Sequence, residues 1–250
     1  MKNFKIYLVV FVLFISGCAS RGAFVYEPGN VINVNNKKLP FKVAVMPLED
    51  KRHHENTNAV LLYLIPLMPF GPLTYDRPDT ANGYTTHASY NFRPSEDLAK
   101  ATVEELKRNQ IFEEVFFTQR EKEPGIDMIM TGEIRDTKYN GKLITYGLSA
   151  YGPLLWFVGL PSSYVTNSID FSLQLKRISD GVVVWRHDVK GEWDMTAGLY
   201  YNWGTEFDGY PLLVKDGLVE GMKKLTAEIT EKGQTTFIKA PEGQVSTHYK

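Results

Sequence analysis

The sequence predicts an α+β domain: an antiparallel-rich sheet covered by two helices, with long apolar loop excursions. Three observations carry that reading. Ile169, Phe171, Leu173 and Leu175 alternate with Asp170, Ser172, Gln174 and Lys176, the period of a half-buried strand. Two stretches, near residues 95–108 and 211–232, gather their apolar residues on one helical face. Between the periodic segments lie three excursions rich in Gly, Pro and aromatic residues. A chain of 250 residues that is 43% hydrophobic and 23% charged has the means to bury a core. Its formal charge of -1 offers no basic field, so no nucleic-acid partner is expected.

Taken in order, the chain begins with Lys2 and Lys5 before an apolar run from Ile6 to Ile15, interrupted only by Tyr7. That run has the size of a secretory signal's apolar region and is too short to span a bilayer as an ordinary helix. The single cysteine, Cys18, follows small residues, and one cysteine permits neither an internal disulfide nor a cysteine-based metal site. Ile15-Ser16-Gly17-Cys18 resembles a bacterial lipobox. The resemblance implies a signal peptide over 1–17, lipidation of the Cys18 sulfur, cleavage before Cys18, and acylation, typically by palmitate, of the new amino terminus. The expected partner is therefore a membrane, held through lipidated Cys18. Several acyl chains on one residue exceed what stable anchoring needs. Ala19 rather than Asp follows Cys18, which by resemblance to enterobacterial sorting implies the periplasmic face of the outer membrane. Residues 18–40 carry Gly22, Pro28, Gly29 and little periodicity and are expected to form a tether with a reach near ~25 Å.

The folded part is expected over 41–236, with a loose tail over 237–250. Phe41, Val43 and Val45 alternate in a first strand that Pro47 ends. Ser95 is the expected N-cap of the first helix, with Glu96 and Asp97 in its positive first turn and Leu98, Ala99, Thr102, Val103 and Leu106 as its buried stripe. Val115–Phe117 forms a short strand, and Asp127 to Ile134 a longer one running on to Tyr139. Asn140-Gly141 reads as a two-residue hairpin turn, with Lys142 to Ser149 returning. After the alternating strand, Asp180-Gly181 turns the chain, and a strand from Val182 pairs back as far as Trp193. The second helix presents Val214, Leu218, Gly221, Met222, Leu225 and Ile229 on one face, its Gly217 and Gly221 allow a close helix contact, and Gly233 ends it.

Phe41-Lys-Val-Ala-Val-Met-Pro-Leu-Glu-Asp50, the helix near Leu98 to Arg108, Phe112-Glu-Glu-Val-Phe116 and Asp127-Met-Ile-Met-Thr-Gly-Glu-Ile134 together resemble envelope lipoproteins with a domain similar to the TolB amino-terminal domain. The curli-secretion lipoprotein and assembly-factor lipoproteins share that plan. The resemblance covers about residues 41–232 and implies a periplasmic α+β domain that works by binding. The three excursions depart from it, so neither a pore nor a named partner comes with it.

The excursions are where function is sought. The first holds Leu61, Leu62, Leu64, Ile65, Leu67, Met68, Phe70 and Leu73; the second holds Leu154, Leu155, Trp156, Phe157 and Leu160. Both are uncharged and both contain Gly-Pro-Leu. Apolar loops are unusual, since surface connections normally meet water. Three readings stand open: the loops pack together as an extended core, they are buried by an envelope protein or by sister subunits, or they dip into the lipid interface. A spanning helix over Leu143–Leu160 would have to hold Gly147, Gly152 and Pro153. The third excursion, Leu199 to Trp203 with Phe207 and Tyr210, either joins the same surface or caps a core edge.

Catalytic chemistry is thin. His53-His54-Glu55 lacks the helical spacing that sets two histidines on one face, and His187-Asp188 alternate across a strand. Ser162-Ser163 lies in no nucleophile elbow, and no phosphate-cradling glycine loop appears. Asp76-Arg77-Pro78-Asp79 reads as a turn with local ion pairs. No catalytic residue, metal or cofactor is expected. The expectation is a non-enzymatic, outer-membrane-anchored lipoprotein serving as scaffold, assembly factor or accessory subunit of an envelope complex. A carrier of a small apolar ligand or lipid, with a pocket lined by Leu61, Leu64, Leu154 and Trp156, is the alternative. A hydrolase using His53, His54 or His87 with carboxylates is the third.

Overall fold

The computed structural model describes residues 22–32, 38–78, 90–120, 123–232 and 237. Cys18, the expected signal segment, Asp79, His87, Gly233 and the tail beyond Phe237 lie outside the described residues. The strands are β1 (Gly22–Ala23), β2 (Leu39–Val45), β3 (Glu49–Asp50), β4 (Asn56–Asn58), β5 (Phe70–Tyr75), β6 (Tyr90–Asn91), β7 (Phe112–Phe117), β8 (Met128–Asp136), β9 (Tyr139–Ile144), β10 (Pro161–Arg177) and β11 (Val183–Gly198). Helix α1 spans Pro94–Arg108 and α2 spans Gly209–Lys232. Two 3-10 segments, Val60–Leu64 and Ser149–Val158, lie in the first and second excursions.

The long strand β10 organises the main sheet. One edge pairs with β11 along almost its full length. The other edge is shared: Asp170–Arg177 pair with β8, and Ser163–Asn167 pair with β9. Strands β8 and β9 are thus collinear. On the β8 side the sheet continues through β2 and β7, both parallel; on the β9 side it continues antiparallel through β5 and β4. The result is an α+β fold on a mixed sheet rich in antiparallel pairs.

Asn140-Gly141 therefore makes no hairpin. Gly141 lies inside β9, paired with Val165 on one side and Leu73 on the other. A side chain on Gly141 would meet the Tyr139 ring at 2.8 Å, so the glycine lets that ring lie across the strand. The reversal comes only after Ile144, in the second 3-10 segment. Asp180-Gly181 does turn the chain: Gly181 is left-handed at φ 72°, and Asp180 Oδ1 accepts the Val182 N–H at 3.1 Å.

Helix α1 buries Leu98, Ala99, Thr102, Val103 and Leu106, as its periodicity requires. Its cap differs from expectation. The helix begins at Pro94, the Asp97 carboxylate accepts the Arg93 N–H at 2.7 Å, and the Ser95 hydroxyl donates instead to the Leu48 carbonyl. Proline suits the first helical position because it has no N–H to satisfy there. Helix α2 is seated on β11 and runs antiparallel to it. Side chains on Gly209, Gly217 and Gly221 would meet Trp193, Val189 and His187, and one on Gly191 would meet Leu213. Gly217 and Gly221 thus admit a strand, not another helix.

The chain before β2 is more than a tether. Phe24 stacks on Phe92 with centroids 4.8 Å apart. The Tyr26 hydroxyl and the Gly29 N–H both donate to the buried Glu105 carboxylate, at 2.7 and 3.0 Å, and the Ile32 N–H donates to Asn109 at 2.8 Å. Residues 22–32 are therefore packed on the folded unit. That unit also reaches Phe237, which is buried and whose carbonyl accepts from Arg177 at 3.3 Å.

Candidate functional site

Four strand ends meet at one end of the sheet. Phe70 at the start of β5 pairs with Ile144 at the end of β9, and Pro161 at the start of β10 pairs with Gly198 at the end of β11. The three excursions all connect or follow these ends. Residues 56–75, 143–169 and 195–205 contain no Asp, Glu, Lys, Arg or His, so this whole end is uncharged. At its rim the Lys142 ammonium lies over the Phe70 ring, 5.3 Å from the centroid.

The loops are fastened to one another by their backbones. Leu67 N–H donates to the Gly147 carbonyl at 2.9 Å, and Thr145 and Tyr146 N–H both donate to Pro69, at 2.9 and 3.1 Å. The Ser149 hydroxyl donates to Leu64, the Trp156 indole N–H to Ile144 at 2.9 Å, and the Tyr200 hydroxyl to Phe157 at 3.0 Å. The Tyr146 hydroxyl donates to Pro161 at 2.7 Å, and burial pushes this phenol's pKa up. Gly71 and Gly152 allow the closest approaches: a side chain would strike the Val60 carbonyl at 1.9 Å and the Thr145 carbonyl at 2.4 Å respectively.

The side chains point the other way. Leu67 is 89% exposed, Val158 and Tyr151 are 74%, Phe157 is 63% and Leu154 is 61%. Leu61, Leu64, Ile65, Met68, Phe70 and Leu160 are exposed as well, and Leu62, Leu155 and Trp156 are half-buried. Leu73 is the exception among the expected surface residues. It is buried because the alternation of β5 turns it into the core. Tyr200, Tyr201 and Trp203 of the third excursion are exposed and belong to the surface, whereas Phe207 and Tyr210 are core. Tyr151 and Val158, within the second excursion, are exposed, as are Leu148 and Tyr164, which lie outside it. The absence of charge from 143 through 169 was the signal that includes them.

The loops thus join as expected for an extended core but leave a broad apolar surface outward. Large exposed apolar patches mark interaction sites. A closed pocket for an apolar ligand is not formed by Leu61, Leu64 and Leu154, which face outward. The opposite, helix-free face of the sheet holds an open trough of about 770 Å³ lined by Lys51, Glu133, Arg135 and Asp188 among others. Lys51 pairs with Glu133 at 2.8 Å and Arg135 with Asp188 at 2.9 Å, and Arg186 donates to Gln174 at 3.3 Å. That is the composition of a solvated face.

His53 and His54 are exposed in a loop, and among the described residues no group of three or more His, Cys, Asp or Glu is placed to hold a metal ion. His187 faces α2 and its Nε2 lies 3.0 Å from the Gly217 carbonyl, while Asp188 points to the other face and bonds Arg135. Ser162 is buried and donates to Ala197 at 3.2 Å. Arg77 reaches the Arg52 carbonyl at 2.9 Å and Asp50 at 3.7 Å. No described helix is long and apolar enough to cross a membrane.

Fold and site together define an α+β domain that presents one uncharged, apolar end. No family model and no curated protein matches the chain. Solved structures similar to it in outline include a Xanthomonas campestris protein of the DUF330 family, 10% identical with a TM-score of 0.44, covering 84% of this chain and 99% of that one. A PelC dodecamer from Paraburkholderia phytofirmans is 10% identical with a TM-score of 0.37, covering 78% and 91%. A neuraminyllactose-binding hemagglutinin homologue from Helicobacter pylori is 11% identical with a TM-score of 0.39, covering 86% and 96%. The likeness is one of outline, and no function is carried across it.

Proposed function

We propose that this chain is a lipid-anchored envelope protein, on the periplasmic face of the outer membrane, that acts by binding as a scaffold, assembly factor or accessory subunit. The observation that carries the reading is the meeting of three uncharged loops at one sheet end, backbones tied together and apolar side chains outward. Such a surface is stable in water only at a cost, and its natural state is covered. The anchor is carried by the lipobox-like Ile15-Ser16-Gly17-Cys18. A non-enzymatic role fits the placement of these side chains: His53 and His54 are exposed, His187 lies against the Gly217 carbonyl, and Ser162 donates to Ala197.

Fractionation tests the anchor. Wild-type protein is expected in the membrane pellet after detergent-free extraction, and Cys18→Ala in the soluble fraction or retained only with its signal segment uncleaved. A Cys18→Ala protein that is cleaved normally and stays membrane-bound overturns the lipid-anchor reading. Crosslinking of the acylated protein in its native membrane tests binding.

A further inference from the structure

We infer that the uncharged end is itself a membrane-contact surface, whose loops seat in the headgroup–acyl boundary of a bilayer. The inference rests on the proposed lipid anchor and identifies what covers the apolar face: the surface of the membrane that holds the chain.

The first argument is chemical. A protein partner is usually met by a patch with an apolar centre and a charged or polar rim. Here three separate loops carry no charge over residues 56–75, 143–169 and 195–205, and Lys142 stands at the rim over Phe70. Leu67, Leu154 and Phe157 lie in the connections beyond the strand ends. Tyr164 lies inside β10, paired with Thr196, and Tyr201 bridges to Gly198 at the end of β11. Tyr151, Tyr200 and Trp203 are exposed beside these residues, and a mixture of aliphatic side chains with Tyr and Trp is the composition enriched at a lipid interface. The depth implied is shallow, since lipid-exposed loops cannot satisfy their backbone groups in the hydrocarbon core.

The second argument is the direction of the chain. Gly22 pairs with Tyr90, which stacks on Phe207 and Tyr210 at the start of α2. From there residues 23–32 run along the helices, with Gly29 against Val219 and Ile32 bonded to Asn109. Helix α2 runs away from the loops, because Gly209 meets Trp193 and Gly221 meets His187. Traced backwards, the chain therefore heads toward the uncharged end as it leaves the described residues. Gly22 is four positions after Cys18 in the sequence, a reach of at most about 14 Å. The strand ends lie five residues beyond Trp193, about 17 Å. An anchor at Cys18, on the reading proposed above, therefore has too short a lead to carry the loops far from the bilayer.

The third argument is backbone strain. Of the five non-glycine residues at positive φ among the described residues, four, Leu67, Tyr146, Ser149 and Asn202, at 71°, 59°, 54° and 52°, are in these loops; the fifth, Gln110, follows α1. Leu67 adopts the left-handed form while its side chain remains 89% exposed. Strain of this kind persists where surrounding structure enforces it and clusters at working surfaces.

The test uses the acylated full chain in vesicles of phosphatidylethanolamine and phosphatidylglycerol. Acylation blocks Cys18, so a cysteine introduced as Leu67→Cys, Phe157→Cys or Val182→Cys takes an environment-sensitive nitrobenzoxadiazole label alone. Val182 is an exposed apolar residue beside the turn at the opposite end of β11. Labels at 67 and 157 are expected to shift to the blue and to be quenched at least threefold more by spin-labelled lipid than the label at 182. The double variant Leu154→Asp with Phe157→Asp, both exposed sites, is expected to abolish quenching at 67 without changing the melting temperature. Equal quenching at all three positions overturns the inference. So does a blue shift at 67 and 157 that spin-labelled lipid leaves untouched; crosslinks to another protein or another copy would then leave the binding reading standing. Failure of the anchor shows separately, as the Cys18→Ala result above.

Discussion

Leu67 and Leu73 belong to the same uncharged stretch and differ in everything that matters physically. Leu67 is left-handed and 89% exposed; Leu73 is extended in β5 and 3% exposed. The left-handed backbone costs an ordinary L-residue roughly 1–2 kcal/mol, a cost glycine does not bear. Leu67→Gly is therefore expected to leave the urea midpoint of the fold unchanged or higher, while reducing lipid contact at the loop. Leu73→Ala removes a core side chain, for which about 2–5 kcal/mol is the ordinary loss. Urea denaturation of the two variants side by side checks the contrast. A large loss from Leu67→Gly would place that side chain in a folding role and weaken its reading as a surface device. The sequence could not separate these two leucines, because both sit in one apolar run without helical or strand period. Only the pairing of β5 with β9 assigns their faces.

At the scale of elements, the most sequence-legible parts were those with a strong period. The alternation of β10, the stripe of α1 and the Asp180-Gly181 turn are local properties and were readable from local residues. The course of β8 into β9 was not. Asn140-Gly141 carries the composition of a turn, yet pairing on both edges keeps it extended, a tertiary override of local propensity. The glycines of α2 show the same limit. Their spacing announced a close approach, but the partner, β11, is fixed by topology. That contact yields a prediction. A methyl group at residue 217 would meet Val189 Cγ1 at 2.2 Å. Alanine in a helix interior gains up to about 1 kcal/mol over glycine, whereas overpacking costs typically about 1–3 kcal/mol. Gly217→Ala is thus expected to lower the urea midpoint despite its better helix propensity. Restoring the midpoint by adding Val189→Ala would confirm that the clash is the cause, since neighbouring sites couple in double-mutant cycles.

At the scale of the whole molecule, the amino-terminal segment, the helices and the sheet are joined by buried tyrosines. Tyr90 stacks on Phe207 with centroids 4.6 Å apart, Tyr139 lies 5.0 Å from the same ring, and the Tyr210 hydroxyl donates to the Thr137 carbonyl at 2.9 Å. Tyr26 ties the first described segment to Glu105. Burial raises the pKa of all four phenols, with Glu105 adding to the effect at Tyr26. The unfolded reference is 10.0. Each phenol is therefore held protonated in the fold at pH values where the unfolded chain would release its proton. The stability they contribute is fully present below about pH 10 and falls as pH rises above that value toward the folded pKa values, because unfolding then releases protons. The expected outcome is a steep alkaline transition above pH 10, in which phenolate absorbance at 295 nm from these residues rises together with loss of the far-ultraviolet circular dichroism signal. Absorbance from all the tyrosines that rises before the structure is lost would contradict it. Tyr90 offers the sharper form of the test, since its hydroxyl has no hydrogen-bond partner among the described residues. Tyr90→Phe removes the ionisable group and leaves the ring stack, so it is expected to raise the alkaline midpoint without lowering stability at neutral pH. A midpoint that does not move would mean that the buried tyrosine layer is not what opens when the molecule unfolds at high pH.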